Sequence, residues 1–355
     1  MLLTLLFLSP ASPAEETPKS PVVKVTVIQK NAARLDWSAA RDLIAFDRKG
    51  PDGKYDVFTM RPDGSDVRCV TCDRQDLPNR HIGNPAWHPS GKYLLVQAEK
   101  PQHRRTRLAR VTTPGAGVYN DLWLLDMESG KSVLLRETPN APGNGTLHPH
   151  FSRDGMRLSW TEMKEHGRLR TGELLGLWKL MTADFRVVNG EPKLINDQAF
   201  EPCGSAFYEN HGFSPDGTRL IYTSGCNTNS PLLNNIYSLH LATRKDLKLT
   251  DGRHNEHAIY SPDGRHIVWM TNARNENGGT DYWIMRSDGS GKRRLTGFNL
   301  KGHPHHVGRK IVVADFAWDP RGSRFAGKYV EGRGAESPGD TQQIVMIELD
   351  PSLFP

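Results

Sequence analysis

The most regular feature of the chain is a turn followed by a short apolar strand, and this unit recurs six times, roughly every 50 to 60 residues. The unit has an aromatic residue, then Ser, His or Asp, then two variable positions and Gly. Its most complete form is Phe213-Ser-Pro-Asp-Gly217, and the first copy lacks the Gly. Pro presets φ, Asp bonds its own backbone and Gly accepts a positive φ, so the unit predicts a tight turn. The six aromatic residues are Trp37, Trp87, Phe151, Phe213, Tyr260 and Trp318.

Each turn is followed by alternating positions rich in β-branched and aromatic residues, as in Arg219-Leu-Ile-Tyr-Thr223, which predict a strand. A third strand follows at equivalent places, such as residues 121–125, and a second turn leads to a fourth. This repetition predicts an all-β, six-bladed β-propeller of four-stranded antiparallel blades. The sixth copy supplies only three strands. We therefore expect an N-terminal strand, at about residues 22–30, to complete the last blade and close the ring of a single domain over residues 22–355.

Composition agrees with many turns and few helices, because the 355 residues include 33 Gly and 24 Pro. Hydrophobic residues make up 37% of the chain, which is enough for a packed core. The net charge of +6 is spread along the chain. No basic stripe interleaved with aromatic residues accompanies the two short basic clusters, so nucleic-acid binding is not expected.

The N-terminus is typical of a signal peptide. The residues from Leu2 to Leu8 are apolar except Thr4, and Ser12-Pro13-Ala14 fits a small-x-small cleavage site. The apolar run is too short to span a bilayer. We expect a signal peptide at residues 1–14, a linker at residues 15–21, and a periplasmic or secreted monomer with no membrane span.

The four cysteines fit an oxidising compartment and allow three pairings. We favour Cys69–Cys72 and Cys203–Cys226, because each pair falls within one repeat. The Cys-Val-Thr-Cys segment has two other interpretations, a redox-active pair or half of a zinc site. A thioredoxin-like motif needs a βαβ setting, and a four-Cys zinc site needs a second Cys-x-x-Cys. Neither is found, so a structural disulfide is favoured.

The repeated Phe/Tyr-Ser-Pro-Asp-Gly followed by an apolar strand resembles the WD40-like repeat of the TolB β-propeller family, over roughly residues 31–349. The resemblance covers the propeller and not the N-terminal α/β domain of TolB. Related propellers occur in oligogalacturonate lyases and as the gating domain of prolyl-oligopeptidase-type peptidases, and the fold does not decide among them. The chain has no Gly-x-Ser-x-Gly elbow and no His-Glu-x-x-His motif, so a peptidase is not expected.

A set of polar residues lies three positions before the aromatic residue of each copy. Each occupies the start of an otherwise apolar inner strand, and the starts of these strands share one face of a propeller. We therefore predict a polar ring at one mouth of the central channel. The six residues are Arg34, Asn84, His148, Asn210, His257 and Asp315.

Histidines are concentrated near this mouth, which indicates a metal site. Imidazoles from different blades, with Asp315 or Glu256, can hold Mn²⁺, Zn²⁺ or Ca²⁺. A metal there would neutralise a uronate carboxylate and acidify its α-proton, with a His or Arg as base. This resembles the oligogalacturonate lyases, which use a metal held by histidines in the propeller channel. The candidate ligands are His148, His150, His211, His257, His305 and Asp315.

Two other interpretations of the ring stay open. The polar residues can serve the fold by capping blade ends and bonding backbone groups between blades. They can also form a binding surface without catalysis. Our first hypothesis for function is an exported binding module for a protein or glycan ligand at the channel mouth. The alternative is a metal-dependent polysaccharide lyase or hydrolase.

Overall fold

A computed structural model of the protein describes residues 20–103, 111–165, 176–226, 233–332 and 340–353. The predicted signal peptide, and all of the predicted linker except its last two residues, lie outside this part of the chain. The described residues form 24 β-strands, and the one helical segment among them is a 3₁₀ turn at Pro351–Leu353.

The strands form six four-stranded antiparallel sheets, which we number as blades 1 to 6 in chain order. The strands of blades 1 and 2 are β2 (Leu35–Ser38), β3 (Leu43–Lys49), β4 (Tyr55–Met60), β5 (Arg68–Cys69), β6 (Ile82–Trp87), β7 (Tyr93–Glu99), β8 (Asn120–Asp126) and β9 (Ser132–Arg136). Those of blades 3 and 4 are β10 (Thr146–Phe151), β11 (Arg157–Glu165), β12 (Leu177–Val188), β13 (Glu191–Phe200), β14 (Tyr208–Phe213), β15 (Arg219–Ser224), β16 (Asn235–His240) and β17 (Asp246–Lys248). Those of blades 5 and 6 are β18 (Asn255–Tyr260), β19 (His266–Thr271), β20 (Asp281–Arg286), β21 (Arg293–Arg294), β22 (Ile311–Trp318), β23 (Arg324–Glu331), β24 (Thr341–Leu349) and the N-terminal β1 (Val22–Lys30).

The ring is closed, as the sequence predicts. The first strand of each blade contacts the first strand of the next, in the circular order β2, β6, β10, β14, β18, β22 and back to β2. The last blade is completed by β1, which pairs antiparallel with β24 from Val22 opposite Leu349 to Lys30 opposite Gln343. The prediction of a six-bladed propeller closed by the N-terminal strand is therefore confirmed.

The repeated turn owes its shape to its own side chains. In blade 4 the Ser214 hydroxyl donates to Asp216 Oδ1 at 2.5 Å, and the Gly217 N–H donates to the Ser214 carbonyl at 2.8 Å. Gly217 has φ +68°, which only Gly adopts at little cost. The same Ser-to-Asp bond occurs in blades 3 and 5. These turns join the first and second strands of each blade and so set the register of the sheet.

The hydrophobic core lies between neighbouring blades. Between blades 5 and 6, the buried Tyr282 packs edge-on against Phe316 and Phe325, with ring centroids 5.3 and 5.1 Å away. Between blades 6 and 1, Ile344 packs in one cluster with Phe46. Burial between blades makes the position of each inner strand depend on both of its neighbours.

Two disulfides link the predicted cysteine pairs. Cys69 bonds Cys72 at the outer edge of blade 1, and Cys203 bonds Cys226 in blade 4, with Cα atoms 5.7 and 5.8 Å apart. These bonds are consistent with an oxidising compartment. In the part of the chain that is described, no helix is long and apolar enough to cross a membrane.

Candidate functional site

The inner strands are bent at the level of the predicted polar ring. Blades 2 to 6 each carry a register shift there, which is a β-bulge. Asn84, His148 and His257 have φ of 50°, 48° and 49°, in the left-handed region. A bulge adds a residue to one strand and redirects its side chain. The same bend in successive blades therefore turns ring side chains toward the channel.

Three ring residues, Arg34, Asn84 and Asn210, take part in hydrogen-bond networks that extend from one blade to the next. Asp47 on β3 accepts from the Arg34 Nε at 2.7 Å and from the Asn84 backbone N–H of the next blade at 2.9 Å. Arg34 and Asp47 are both buried, so this ion pair is shielded from water.

Equivalent contacts continue around the ring to blade 4. Gln97 on β7 accepts from the side-chain amide of Asn84 and, at 3.2 Å, from the His148 backbone N–H. Thr161 on β11 accepts from the Asn210 N–H at 2.8 Å, and the Asn210 side chain donates to the His148 carbonyl at 2.8 Å. Arg34, Asn84 and Asn210 therefore make hydrogen bonds of the kind that the structural interpretation of the ring predicts.

The other three ring residues, His148, His257 and Asp315, converge with His211 on one point of the channel. His148 of blade 3, His211 of blade 4 and His257 of blade 5 form a triangle with ring centroids 5.5 to 5.9 Å apart. One nitrogen of each ring lies within 4.8 Å of the others. Asp315 of blade 6 lies beside two of these histidines, with Oδ1 3.3 Å from His257 Nδ1 and 3.7 Å from His148 Nδ1. We call these four residues the histidine cluster.

Partners outside the cluster orient two of its imidazoles. Glu209 Oε1 lies 2.8 Å from His148 Nε2. The Thr223 hydroxyl lies 2.7 Å from His211 Nε2. In both rings the Nε2 atom has a polar partner, and in His148 the other nitrogen, Nδ1, faces Asp315. Such partners fix the orientation and tautomer of a ligating histidine.

The cluster contains one strong ion pair. Burial lowers the pKa of His257, but the charge of Asp315 and its hydrogen bond, together with the charges of Glu209 and Glu256, outweigh burial and raise the pKa to about 9. Burial alone would raise the pKa of Asp315, yet His257, His148 and Lys328 hold it well below its ordinary value. In the metal-free protein at neutral pH, His257 is therefore an imidazolium paired with a carboxylate.

His211 and His150 are neutral at the same pH. Burial, followed by the charges of the neighbouring histidines, holds the pKa of His211 well below its ordinary value. Burial and the charge of His148 lower the pKa of His150 to about 3. A neutral imidazole is the form that binds a metal.

The exposed fraction of the side chains increases from the cluster toward His254. The side chain of His148 is 5% exposed, those of His257 and Asp315 are 13% exposed, and that of His254, just ahead of β18, is 28% exposed. Between them Glu256 accepts from Asn234 Nδ2 at 2.6 Å and lies 3.2 Å from His254 Nε2. His254 is therefore the most exposed side chain of this group.

The remaining predicted ligands lie at different distances from the cluster. His150 lies on the same strand as His148, beside Gly212, and the charges of His148 and Asp315 both act on its pKa. His305 lies apart, in the segment between β21 and β22, where its ring is 6.2 Å from Phe298 and 5.0 Å from His303. The structure thus brings together four of the six predicted metal ligands, with a fifth next to them.

Glu209 and Thr223 were not found by sequence reasoning. Glu209 directly precedes a ring residue, as Glu256 does in the next blade. A search for carboxylates one position before the ring, where the sequence analysis already names Glu256, would also have found Glu209. Thr223 gives no signal, because its position on β15 is set by strand pairing with Glu209.

Comparison with known proteins agrees with this architecture. The chain is 32% identical over 278 residues to the uncharacterised protein Atu1656 of Agrobacterium fabrum, covering 76% of this chain and 77% of that protein. It is 26% identical over 195 residues to the Tol-Pal system protein TolB of Anaeromyxobacter dehalogenans, covering 53% of this chain. The crystal structure of TolB from Acinetobacter baumannii superposes with a TM-score of 0.54 at 16% identity, over 88% of this chain and 65% of that one.

The chain belongs to the TolB-like β-propellers. It spans 41% of the length of the Anaeromyxobacter TolB proteins that it matches. No protein-family model matches it. A structure of oligogalacturonate lyase in complex with manganese superposes on this TolB-like propeller with a TM-score of 0.53 at 13% identity, covering 95% of this chain and 96% of that one. At that identity the likeness concerns the fold alone.

Proposed function

We propose that this TolB-like propeller is an exported binding module that takes a protein or glycan ligand at the solvent-facing side of the histidine cluster, where a divalent metal contributes to binding. The observation that carries the proposal is the convergence of three imidazoles and one carboxylate from four different blades. The imidazoles of His148 and His257 lie 3.7 and 3.3 Å from the carboxylate of Asp315, and one nitrogen of His211 lies within 4.8 Å of a nitrogen of each of the other two histidines.

The donor atoms fit a transition metal. Ligand atoms in a tetrahedral site with bonds of about 2.0–2.1 Å lie about 3.3 Å apart, close to the distances from Asp315 Oδ1 to His257 Nδ1 and His148 Nδ1. Three nitrogen donors and one oxygen donor suit Zn²⁺ or Mn²⁺. Ca²⁺ prefers an all-oxygen set, so it is the least suitable of the three predicted ions.

Charge favours a cation at this point. Glu209, Glu256 and Asp315 bring three carboxylates to the cluster, against the two positive charges of His257 and Lys328, whereas burial keeps His211 neutral. A divalent cation would compensate the carboxylates and displace the proton of His257. When bound, the metal would supply a positive charge for a carboxylate or other oxygen of the ligand. Glu209 and Thr223 would hold two of the imidazoles in place, and Glu256 and His254 would contact the ligand at the opening.

Export is part of the proposal. It is supported by the N-terminal apolar run with its small-x-small site and by the two disulfides. Disulfides persist in oxidising compartments and are rare in the cytosol. A fusion of residues 1–20 to a reporter that is active only outside the cytoplasm would test this directly.

Metal content and thermal stability test the cluster. We expect about one Zn²⁺ or Mn²⁺ per chain by elemental analysis, a lower melting temperature after EDTA, and its recovery on adding the metal. The double variant His148→Ala/His257→Ala should lose both effects. His303→Ala/His305→Ala removes the same number of histidines outside the cluster and should keep them. A chain without stoichiometric metal, or a control variant that also loses it, would contradict the metal part of the proposal.

A second candidate is a metal-dependent polysaccharide lyase. The observation that favours it is the partly exposed group of His254, Glu256 and His257 beside the cluster, since imidazole and carboxylate side chains are the usual acids and bases in proton abstraction. Trigalacturonate is a suitable probe. Binding seen by calorimetry without an ultraviolet-absorbing unsaturated product supports the binding module, and a product lost in His257→Ala supports the lyase.

A further inference from the structure

A second group of metal-binding side chains lies on blade 1, away from the histidine cluster. Asp56 on β4, Cys69 on β5 and Cys72 each offer one atom, a carboxylate oxygen or a sulfur, and these atoms all lie within 4.8 Å of one another. The two sulfurs are joined by a disulfide. We propose that this disulfide is reducible in the folded protein and that the resulting dithiol, together with Asp56, binds a thiophilic divalent cation such as Zn²⁺ or Cd²⁺.

The disulfide is accessible to an external thiol. Cys72 is exposed, whereas Cys226 of the other disulfide is only 4% exposed and Cys203 is partly buried. A thiolate must approach a sulfur directly to exchange with it, so access decides which bond is attacked. Of the four cysteines only Cys72 is exposed, so we expect the attack there.

Cys69 is suited to leave as a thiolate. The Cys72 backbone N–H donates to Cys69 Sγ at 3.0 Å, and such a donor stabilises negative charge on sulfur. An external dithiol would attack Cys72 Sγ, forming a mixed disulfide and releasing Cys69 as a thiolate. Its second thiol would then attack the mixed disulfide. The two electrons come from the external dithiol, which leaves as a disulfide, and both cysteines end as thiols.

Reduction leaves the blade intact. Cys69 and Cys72 are separated by 3 positions, against 23 for Cys203 and Cys226, and a short loop constrains the unfolded chain less. The outer strand also has other attachments. The Val70 N–H donates to the Val57 carbonyl at 2.9 Å, and the Val57 N–H donates to the Thr71 hydroxyl at 2.9 Å.

The carboxylate is already oriented beside the sulfurs. The Thr71 hydroxyl donates to Asp56 Oδ1 at 2.8 Å and fixes its position relative to the segment that carries Cys72. Two thiolates and one carboxylate form a soft, anionic donor set that suits Zn²⁺ or Cd²⁺, and metal binding would release the two thiol protons. The three protein ligands leave one position of a tetrahedral ion for water.

Reduction is tested with the second disulfide as an internal control. Folded protein is treated with increasing dithiothreitol, alkylated and analysed by mass spectrometry. We expect Cys69 and Cys72 to be alkylated at concentrations that leave Cys203–Cys226 intact, with an unchanged circular dichroism spectrum. Reduction of both bonds together, or only with loss of the fold, would overturn the proposal.

Metal binding is tested on the selectively reduced protein with Cd²⁺. The ultraviolet band of a cadmium thiolate should appear with one ion per chain and be absent from the oxidised protein. The histidine cluster contains no thiol, so metal bound there gives no such band. Asp56→Asn should weaken Cd²⁺ binding about tenfold or more. Asp73→Asn removes the same charge beside Cys72 but is not one of the three ligands, and it should bind within about twofold of the wild type. No band, or equal effects of the two variants, would overturn the proposal.

Discussion

His148 and Asp315 lie on blades 3 and 6, which are opposite each other in the ring, and yet His148 Nδ1 is only 3.7 Å from Asp315 Oδ1. At this level, therefore, side chains from opposite sides of the channel are in contact with each other. The same oxygen lies 3.3 Å from His257 Nδ1 of blade 5. One carboxylate thus faces imidazoles from two other blades, and the charge state of the cluster depends on it.

Substitution of that carboxylate should change the titration of His257. In metal-free Asp315→Asn we expect the pKa of His257 to fall from about 9 toward or below its ordinary 6.5, because burial then acts with less opposition. In the wild type the raised pKa of His257 contributes to the stability of the fold. The whole contribution is present below pH 6.5, and it is lost as the pH rises through about 9. Histidine NMR titrations in EDTA measure the pKa, and melting curves over the same pH range measure its effect on stability.

The control for this titration is Asp288→Asn, which neutralises an exposed carboxylate. His257 should keep its pKa in that variant. If His257 also titrates near pH 9 in Asp315→Asn, then Glu209 and Glu256 hold its proton instead, and Asp315 is not the main partner.

The bonds between blades predict a cost for removing a single hydroxyl. Thr161→Val keeps the shape of the side chain but leaves the Asn210 backbone N–H without its 2.8 Å acceptor. A buried donor without a partner costs about 1–3 kcal/mol, so the free energy of unfolding should fall by this amount. Denaturant unfolding followed by tryptophan fluorescence measures it. Thr161→Ser retains the hydroxyl, and a loss in that variant as large as in Thr161→Val would show that packing, not the hydrogen bond, matters at this position.

We predict that a group of charged side chains between blades 2 and 3 makes the stability of the fold sensitive to acid. Glu162 on β11 lies 3.0 Å from Arg136 Nη2 of β9 and 3.0 Å from Lys179 Nζ. Burial alone would raise the pKa of Glu162, but the charge of Arg136 and the hydrogen bond with Lys179 outweigh it and lower the pKa. A lowered pKa stabilises the fold above the ordinary value of 4.5, and this contribution is lost as the pH falls through the folded-state pKa.

Glu162→Gln should therefore lower the melting temperature at pH 7 and have a smaller effect at pH 3. Glu191→Gln is a matched control, because Glu191 pairs with Lys193 at the surface of the same blade. Exposed pairs contribute at most about 1 kcal/mol, so this variant should melt like the wild type. A deficit of Glu162→Gln that stays constant from pH 7 to pH 3 would contradict the assignment.

The fold follows closely from the sequence because its signals are local. The Ser-x-Asp-Gly turn is formed by bonds between residues that are two or three positions apart, as for Ser214, Asp216 and Gly217. Each such turn marks the first two strands of a blade. Closure by β1 follows from counting strands, and the disulfides follow from pairing cysteines within one blade.

The site follows less closely because neighbouring blades decide it. Asn84 and His148 have equivalent positions and nearly equal φ, but the Asn84 side chain bonds Gln97 within its own blade, while His148 reaches Glu209 in the next. Which of these contacts forms depends on how far a side chain on the second strand of the blade reaches. The periodicity of the sequence does not reveal that reach. His305 is close in sequence to blade 6, but its segment folds against Phe298 and stays outside the cluster.

Closure by β1 predicts a strong dependence of stability on the first described residues. Val22 is 3% exposed and packs in one cluster with Val345 and Leu349 of β24. A chain that begins at Ala32 loses the nine residues of this strand and leaves the edge of β24 open. We expect several kcal/mol of destabilisation, which at roughly 2–4 °C per kcal/mol lowers the melting temperature on the order of 10 °C. We also expect association through the open edge, visible in size-exclusion chromatography.

A chain that begins at Ser20 is the control. A peptide of residues 20–31 added to the shortened chain should restore part of the lost stability by pairing with the free edge. A shortened chain that melts like the control and elutes at the same volume would show that the ring does not need its N-terminal strand.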